Sequence, residues 1–386
     1  AASFTKEAID TLMVRGERAA MDSWDGLLAL KRKLGLAEDY QPRRPGPFRL
    51  PGAAVDREIP VDSQIAAPAV RENKLNVGFR FDTEELAADF YFGRQRESLV
   101  SLTARLGKRT LARLGYSYQW DGGWQAGLAY QFDYKDMNIY NEGKRALDLT
   151  FTHQLVRMGA ASLGIDFDYY HYHDLLSLDP LASALFENSS LFSYFAGLVF
   201  NNLNERSAPT KGMSWAVSYH LYTDNFFQYK DNNPISVFDA RWQGCFSPSS
   251  KFTVTPSFYG RVLSGSGNYP FAIINMVGGT IPGRYMPQQI PFTGINRAEL
   301  SQAALLVAGL NLRQRILKNQ YISVMGSYGR NSGKFHQILD SSESADMAGV
   351  GIGYMYKSFL GPVEIQLNWS NQTKKVGWYA GFGFVF

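Results

Sequence analysis

The sequence predicts an all-β membrane protein: an antiparallel transmembrane β-barrel of about sixteen strands, preceded by a short N-terminal helical segment. Three observations predict it. From Leu75 to Phe386, apolar and polar residues alternate with the period of two that marks strands. The apolar file carries almost no charge, and the charged residues sit in the opposite file. Aromatic residues are abundant, with 22 Tyr, 26 Phe and 7 Trp, more than a water-soluble core requires.

Composition narrows the function classes. The 386 residues carry a formal net charge of +4, too close to balance to suggest nucleic acid or an acidic polymer as partner. A single cysteine, Cys245, excludes an internal disulfide framework and a thiolate metal site. No run approaches about 18 uncharged apolar residues, so any membrane crossing must be made by strands.

Residues 1–50 read as helix. Ile9, Leu12, Met13, Gly16 and Ala19 follow helical spacing, and Leu27, Leu28, Leu30 and Leu34 continue it up to Gly35, a C-cap residue. Pro42, Pro45, Pro47 and Pro51 break the pattern. Residues 51–72 have weak periodicity and read as a linker, leaving 73–386 for the barrel.

Within the barrel, Ala112, Leu114, Tyr116, Tyr118 and Trp120 alternate with Arg113, Gly115, Ser117 and Gln119. Trp124 to Tyr134 repeats the pattern, and Asp121-Gly122-Gly123 between the two runs reads as a tight hairpin turn. Met213 to Leu221, Val363 to Trp369 and Trp378 to Phe386 are further examples. Arg80, Arg105, Arg113, Asp166, Asp168, Asp239, Arg241 and Arg313 all fall in the polar file. A midplane Arg or Lys facing lipid costs about 2–4 kcal/mol, whereas a wet lumen tolerates it. The polar file therefore faces inward, and Asp239, Arg241, Lys251 and Arg261 are expected to pair there. Clustering of Tyr and Trp near strand ends fits an interfacial girdle better than a soluble sandwich.

Three motifs resemble the bacterial surface antigen superfamily, which includes the BamA-like assembly barrels. Asn204, Arg206, Pro209, Thr210, Lys211 and Gly212 resemble its D-x-R…P-T-x-G hairpin, with Asn204 replacing the Asp. Residues 263–299 resemble its long inward-folded loop, with Gly283-Arg284-Tyr285 where the family has Arg-Gly-aromatic. Asn311-Leu312-Arg313 resembles the Glu-x-Arg of the following strand, with Asn311 at the Glu position. Tyr379, Gly381, Phe384 and Phe386 resemble the terminal-strand signal read by the outer-membrane assembly machinery. The N-terminal segment from Ser3 to Leu36 looks like the last helices of a patatin-like phospholipase domain, and Asn76 to Glu85 like the first strand of the barrel fused to it. That fusion family implies a POTRA module between the two, yet none is recognisable between Pro51 and Leu75.

Catalytic chemistry is not legible in this chain. A patatin site needs a serine on a G-x-S-x-G elbow and an Asp before Gly-Gly or Gly-Ala. The nearest serine motif, Gly212-Met213-Ser214-Trp215-Ala216, lacks its last Gly and falls in a strand, and Asp121-Gly122-Gly123 falls in a hairpin. His171 and His173, with Asp166, Asp168 and Asp174, raise metal binding, but a Tyr-rich girdle at a strand end accounts for them, so neither metal nor cofactor is expected.

The resemblance implies a Gram-negative outer-membrane barrel that anchors or exports a patatin-like phospholipase module. The alternatives are a BamA-type assembly or translocation barrel and a plain porin. Its implied partners are outer-membrane lipid, the assembly machinery during biogenesis, and a homodimer or envelope complex. The segment 278–292 is expected to plug the lumen, with Arg284 and Tyr285 at its tip against the inner wall that carries Asn311 and Arg313.

Overall fold

The computed structural model describes residues 15, 18, 21, 22, 74–80, 85–95 and 98–383, less 121, 137–139, 157, 174–185, 206–207, 266–268, 284–285 and 359–360. For 74–95 it describes backbone only, apart from the side chains of Leu86 and Ala88. The chain divides into two units, Ala1–Ala53 and Ala54–Phe386. In the first, Arg15, Arg18, Met21 and Asp22 are helical and exposed; the other expected helical positions lie outside the described residues.

The second unit is built on strands β1 (Lys74–Arg80), β2 (Glu85–Gln95), β3 (Ser98–Gly107), β4 (Arg109–Gln119), β5 (Trp124–Asp136), β6 (Asn141–Val156), β7 (Gly159–His173), β8 (Ser189–Asn201), β9 (Gly212–Thr223), β10 (Ile235–Cys245) and β11 (Phe252–Ser264). Three two-residue strands follow, β12 (Met276–Val277), β13 (Gln289–Ile290) and β14 (Glu299–Leu300). The series closes with β15 (Ala304–Leu317), β16 (Gln320–Ser332), β17 (Ser344–Ser358), β18 (Gly361–Ser370) and β19 (Val376–Phe382). The long strands form one 16-stranded sheet in which each pairs antiparallel with the next, and β11 pairs with β15 across the intervening segment. Strands β6 and β7, of 16 and 15 residues, exceed the ten or so that a bilayer needs and so project past it.

Local chemistry sets the hairpins. Gly122 and Gly123 both take positive φ (82° and 83°), which an L side chain resists, and Trp120 N donates to Trp124 O at 2.8 Å across the turn. The connections at this end of the sheet are mostly short, as at 95–98, 156–159, 317–320 and 358–361. At the other end lie the long ones, 173–189, 223–235, 264–304 and 332–344.

The two faces are inverted relative to a water-soluble sheet. On β6, Leu147, Leu149 and Phe151 are 46, 40 and 42% exposed, while Lys144, Asp148 and Thr150 in the alternate file are 7, 4 and 7% exposed. Leu102, Leu114, Leu128, Ile165, Val324, Val350 and Leu367 extend the apolar outer face around the sheet. Only lipid makes such a face favourable, because in water every one of these side chains would be better turned inward.

Candidate functional site: a plugged lumen

The inner wall is charged and paired. Arg109 Nη2 lies 3.1 Å from Asp133 Oδ2, Lys135 Nζ 2.8 Å from Glu142 Oε1, and Lys144 Nζ 2.9 Å from Asp168 Oδ2. Arg113 pairs with Asp148 at 3.1 Å. Register sets Lys135 directly opposite Glu142, makes Arg109–Asp133 and Lys144–Asp168 diagonal pairs on neighbouring strands, and leaves Arg113 of β4 to reach past β5 to Asp148 of β6. On the far wall Arg241 Nε binds Asp239 Oδ1 at 2.8 Å, and Arg261 Nε approaches Asp239 Oδ2 at 3.7 Å. These are three of the four residues expected to pair there. Lys251 departs from the expectation: it lies exposed in the β10–β11 turn, where strand alternation no longer applies.

The segment between β11 and β15 folds inside the sheet. Strand β12 pairs parallel with β13 and antiparallel with β14, giving it a small sheet of its own. One side packs Phe271, Ile273, Met276 and Met286 against Tyr140, Tyr172, Leu191, Ile235 and Leu263. The other packs Val277, Ile290, Phe292 and Ile295 against Leu305, Val307 and Met347.

Polar contacts lock this plug to strands on opposite sides of the sheet. Asn275, fully buried, accepts from Arg261 Nη1 at 2.6 Å and donates to Gln302 O at 2.8 Å and Ala303 O at 3.0 Å. Arg261 Nη1 also donates to Ile273 O at 2.7 Å, and Arg241 Nη2 to Pro287 O at 3.3 Å. Across the lumen Thr293 Oγ1 and Ser327 Oγ are 2.9 Å apart, and Asn368 Nδ2 donates to Asn296 Oδ1 at 2.8 Å. Met286 Sδ reaches Lys135 on β5, while Asn296 reaches Trp378 O on β19. A single segment can touch both only because the sheet curls around it. At Gly349 on β17, an added Cβ would fall 1.8 Å from Thr293 O, so the plug backbone needs a glycine there.

A second element enters from the short-turn end. The β8–β9 connection, 202–211, buries Ala208 and Pro209. Asn204 holds its shape: Oδ1 accepts from Thr210 N at 2.9 Å and Lys211 N at 3.0 Å. Its Nδ2 also donates to Thr210 Oγ1 at 2.9 Å. Ser247 Oγ donates to Thr210 O at 2.7 Å. Arg313 Nη2 donates to Pro209 O, and its guanidinium stands 5.7 Å from the Tyr321 ring centroid. Lys357 on β17 pairs with Glu205 of the same connection.

Of the residues singled out from the sequence, Pro209 thus meets Arg313 at one end of the lumen, and Asn204 shapes the connection that carries it. Arg313 faces inward as expected, yet its hydrogen-bond partner is the hairpin and not the plug. The reason is depth, because Arg313 lies near the short-turn end of β15, well below the plug. Asn311, one inward position higher, does line the cavity of about 260 Å³ beneath the plug, together with Thr280, Pro282, Phe292 and Thr293. Arg284, Tyr285, Arg206, Phe384 and Phe386 lie outside the described residues. Tyr379 and Gly381 sit in β19, opposite Gln366 and Glu364 of β18. His171 and His173 face outward while Asp166 and Asp168 are buried inward, so the two pairs cannot share a ligand. Asp174 lies outside the described residues. Ser214 is within strand β9, not on an elbow.

Sequence reasoning missed Asn275 as a plug anchor. A lone amide inside the apolar run Phe271–Val277 was its signal, since a buried amide must find partners.

The comparisons agree with this architecture. The structure resembles BamA from Haemophilus ducreyi lacking POTRA domains 1–3, at 15% identity and a TM-score of 0.62, covering 82% of this chain and 71% of that one. It also resembles CdiB from Escherichia coli (11% identity, TM-score 0.54, 82% of this chain and 64% of that one) and CdiB from Acinetobacter baumannii (10%, 0.50, 80% and 58%). At these identities the likeness concerns the fold, and the chain spans less than two thirds of either CdiB chain. No curated protein sequence matches. A model of the OMP85 superfamily matches residues 148–386. The inverted faces, the plugged lumen and that match lead to one conclusion: this chain is an outer-membrane β-barrel of the Gram-negative envelope and belongs to the OMP85 superfamily.

Proposed function

We propose that this barrel anchors, or exports, a soluble module attached at its N-terminal side, and that the module is a patatin-like phospholipase. The observation that carries the reading is the lumen itself. A plug held by Arg241, Arg261, Asn275, Thr293 and Asn296 leaves a small cavity, where a plain porin would keep a continuous aqueous channel. The lipase part rests on the resemblance of Ser3 to Leu36 to the end of a patatin-like domain. Domain boundaries at about 50 and 72 belong to the same proposal.

The rival is an assembly barrel acting on other outer-membrane proteins, the role the BamA relative suggests. The two readings separate in cells. Deleting the gene should leave the abundance of other outer-membrane barrels unchanged and should abolish an envelope-bound lipase activity. Expressing the gene without residues 73–386 should move that activity out of the outer-membrane fraction. Depletion of other barrels in the deletion strain would establish the assembly role instead.

A further inference from the structure

We propose that the outer face of β5–β7 carries a notch that binds the phosphate of a membrane-lipid headgroup, centred on Gly143 and Arg145. The outward file of β6 reads Asn141, Gly143, Arg145, Leu147, Leu149, Phe151. Arg145 is exposed on this lipid-facing file, and it pairs with no carboxylate and makes no side-chain hydrogen bond among the described residues. On its two sides stand Phe132 of β5 and Tyr169 of β7. An unpaired guanidinium so placed is costly in hydrocarbon and needs an anion or water.

Geometry supplies room for an anion. Gly143 lies one outward position nearer the long-loop end, between Tyr134 of β5 and His171 of β7. A Cβ built at Gly143 would meet nothing nearer than the His171 carbonyl oxygen at 3.8 Å, so the site is open. The flanking strands stand about 10 Å apart, twice the interstrand spacing. The walls carry donors: the rings of Tyr134 and His173 are 5.7 Å apart, and those of His171 and His173 are 5.3 Å apart. Asp136, opposite Asn141, is the one carboxylate on this face of β5–β7 among the described residues, and it lies further out, beyond the notch.

Depth selects the ligand. Arg145 is four residues in from the end of β6, about 13 Å along the strand and less along the membrane normal because barrel strands tilt. Leu147, Leu149 and Phe151 continue inward, so the notch sits where the apolar band ends and headgroups begin. A guanidinium binds phosphate oxygens through two parallel charge-assisted bonds, and the imidazole and phenol groups add further donors. A lipid phosphate arrives at that depth by its own anchoring, which free phosphate lacks.

Native mass spectrometry of the detergent-purified chain tests this. The probes are bis-phosphorylated lipid A and phosphatidylglycerol, with dephosphorylated lipid A and diacylglycerol as controls. At least one phosphate-bearing probe should be retained, and its affinity should fall about tenfold, equal to about 1.4 kcal/mol, in Arg145→Gln. Gly143→Leu, which fills the notch without touching a charge, should do the same, while Arg145→Lys should keep most of the binding. Folding of each variant is checked by heat-modifiable mobility. Equal retention by wild type and both loss variants, or equal retention of the phosphate-free controls, overturns the proposal. Displacement of the bound lipid by millimolar inorganic phosphate would make it a free-anion site and overturn the lipid assignment.

Discussion

Replacing Asn275 with Leu swaps a fully buried amide for an apolar side chain of similar size. The change removes the acceptor for Arg261 Nη1 at 2.6 Å and the donors to Gln302 O at 2.8 Å and Ala303 O at 3.0 Å. Ala303 O keeps a second donor in Leu263 N, so Gln302 O loses the more. A bond to a charged group contributes about 1.5–3 kcal/mol and each neutral bond about 1 kcal/mol, giving roughly 4 kcal/mol for the site. That energy resists displacement of the plug, because the apolar contacts of the barrel wall itself are untouched. The opening equilibrium should therefore rise about 10³-fold. Hydrogen exchange of the amides in 271–277 reads this directly, and single-channel conductance in planar bilayers reads its consequence. Arg261→Met should behave similarly, and the double variant should fall short of the sum by about 1.5 kcal/mol or more, since both singles remove the same bond. Wild-type exchange rates and conductance in Asn275→Leu, or full additivity, would refute the claim that this pair holds the plug.

Arg313→Met should loosen the β8–β9 connection by about 1.5–3 kcal/mol and lower the unfolding temperature without raising plug exchange; a wild-type melt would count against the contact with Pro209. Leu149→Arg, on the lipid face of β6, should lower barrel stability in vesicles by about 2–4 kcal/mol, whereas Thr150→Ser on the buried face should have little effect; equal urea midpoints for all three proteins would contradict the assigned faces. Deleting Phe386 should reduce heat-modifiable folded protein in outer-membrane fractions, and unchanged amounts would dismiss the terminal-signal reading. The 386-residue chain should not hydrolyse short-chain p-nitrophenyl esters; hydrolysis abolished by Asp121→Ala would show that the hairpin Asp-Gly-Gly is catalytic after all.

The functional picture joins two inward elements that enter a charged lumen from opposite ends. The plug is bonded to Arg241, Arg261, Ser327 and Asn368, and the β8–β9 connection to Arg313 and Lys357. Any export through this barrel would have to displace one or both. The plug carries the larger apolar contact, so the connection at Pro209 is the more readily moved of the two.

Much of this was legible from residue order. Strand faces follow a period of two, a property of the local backbone, so the outward Leu147 and Leu149 and the inward Asp148 and Arg313 could be assigned without any partner. The Gly122-Gly123 turn is similarly local. Partnership across the lumen was not legible. Arg313 and Pro209 are 104 residues apart in sequence. The inward orientation of Arg313 left the plug and the hairpin equally open as partners, and only strand depth decided between them. Asn275 and Arg261 belong to the same case, since nothing in an isolated apolar run states which wall it will meet. Alternation is dictated by each strand's own geometry, whereas the pairings inside the barrel depend on tilt, register and depth, which exist only once all sixteen strands of the sheet are in place.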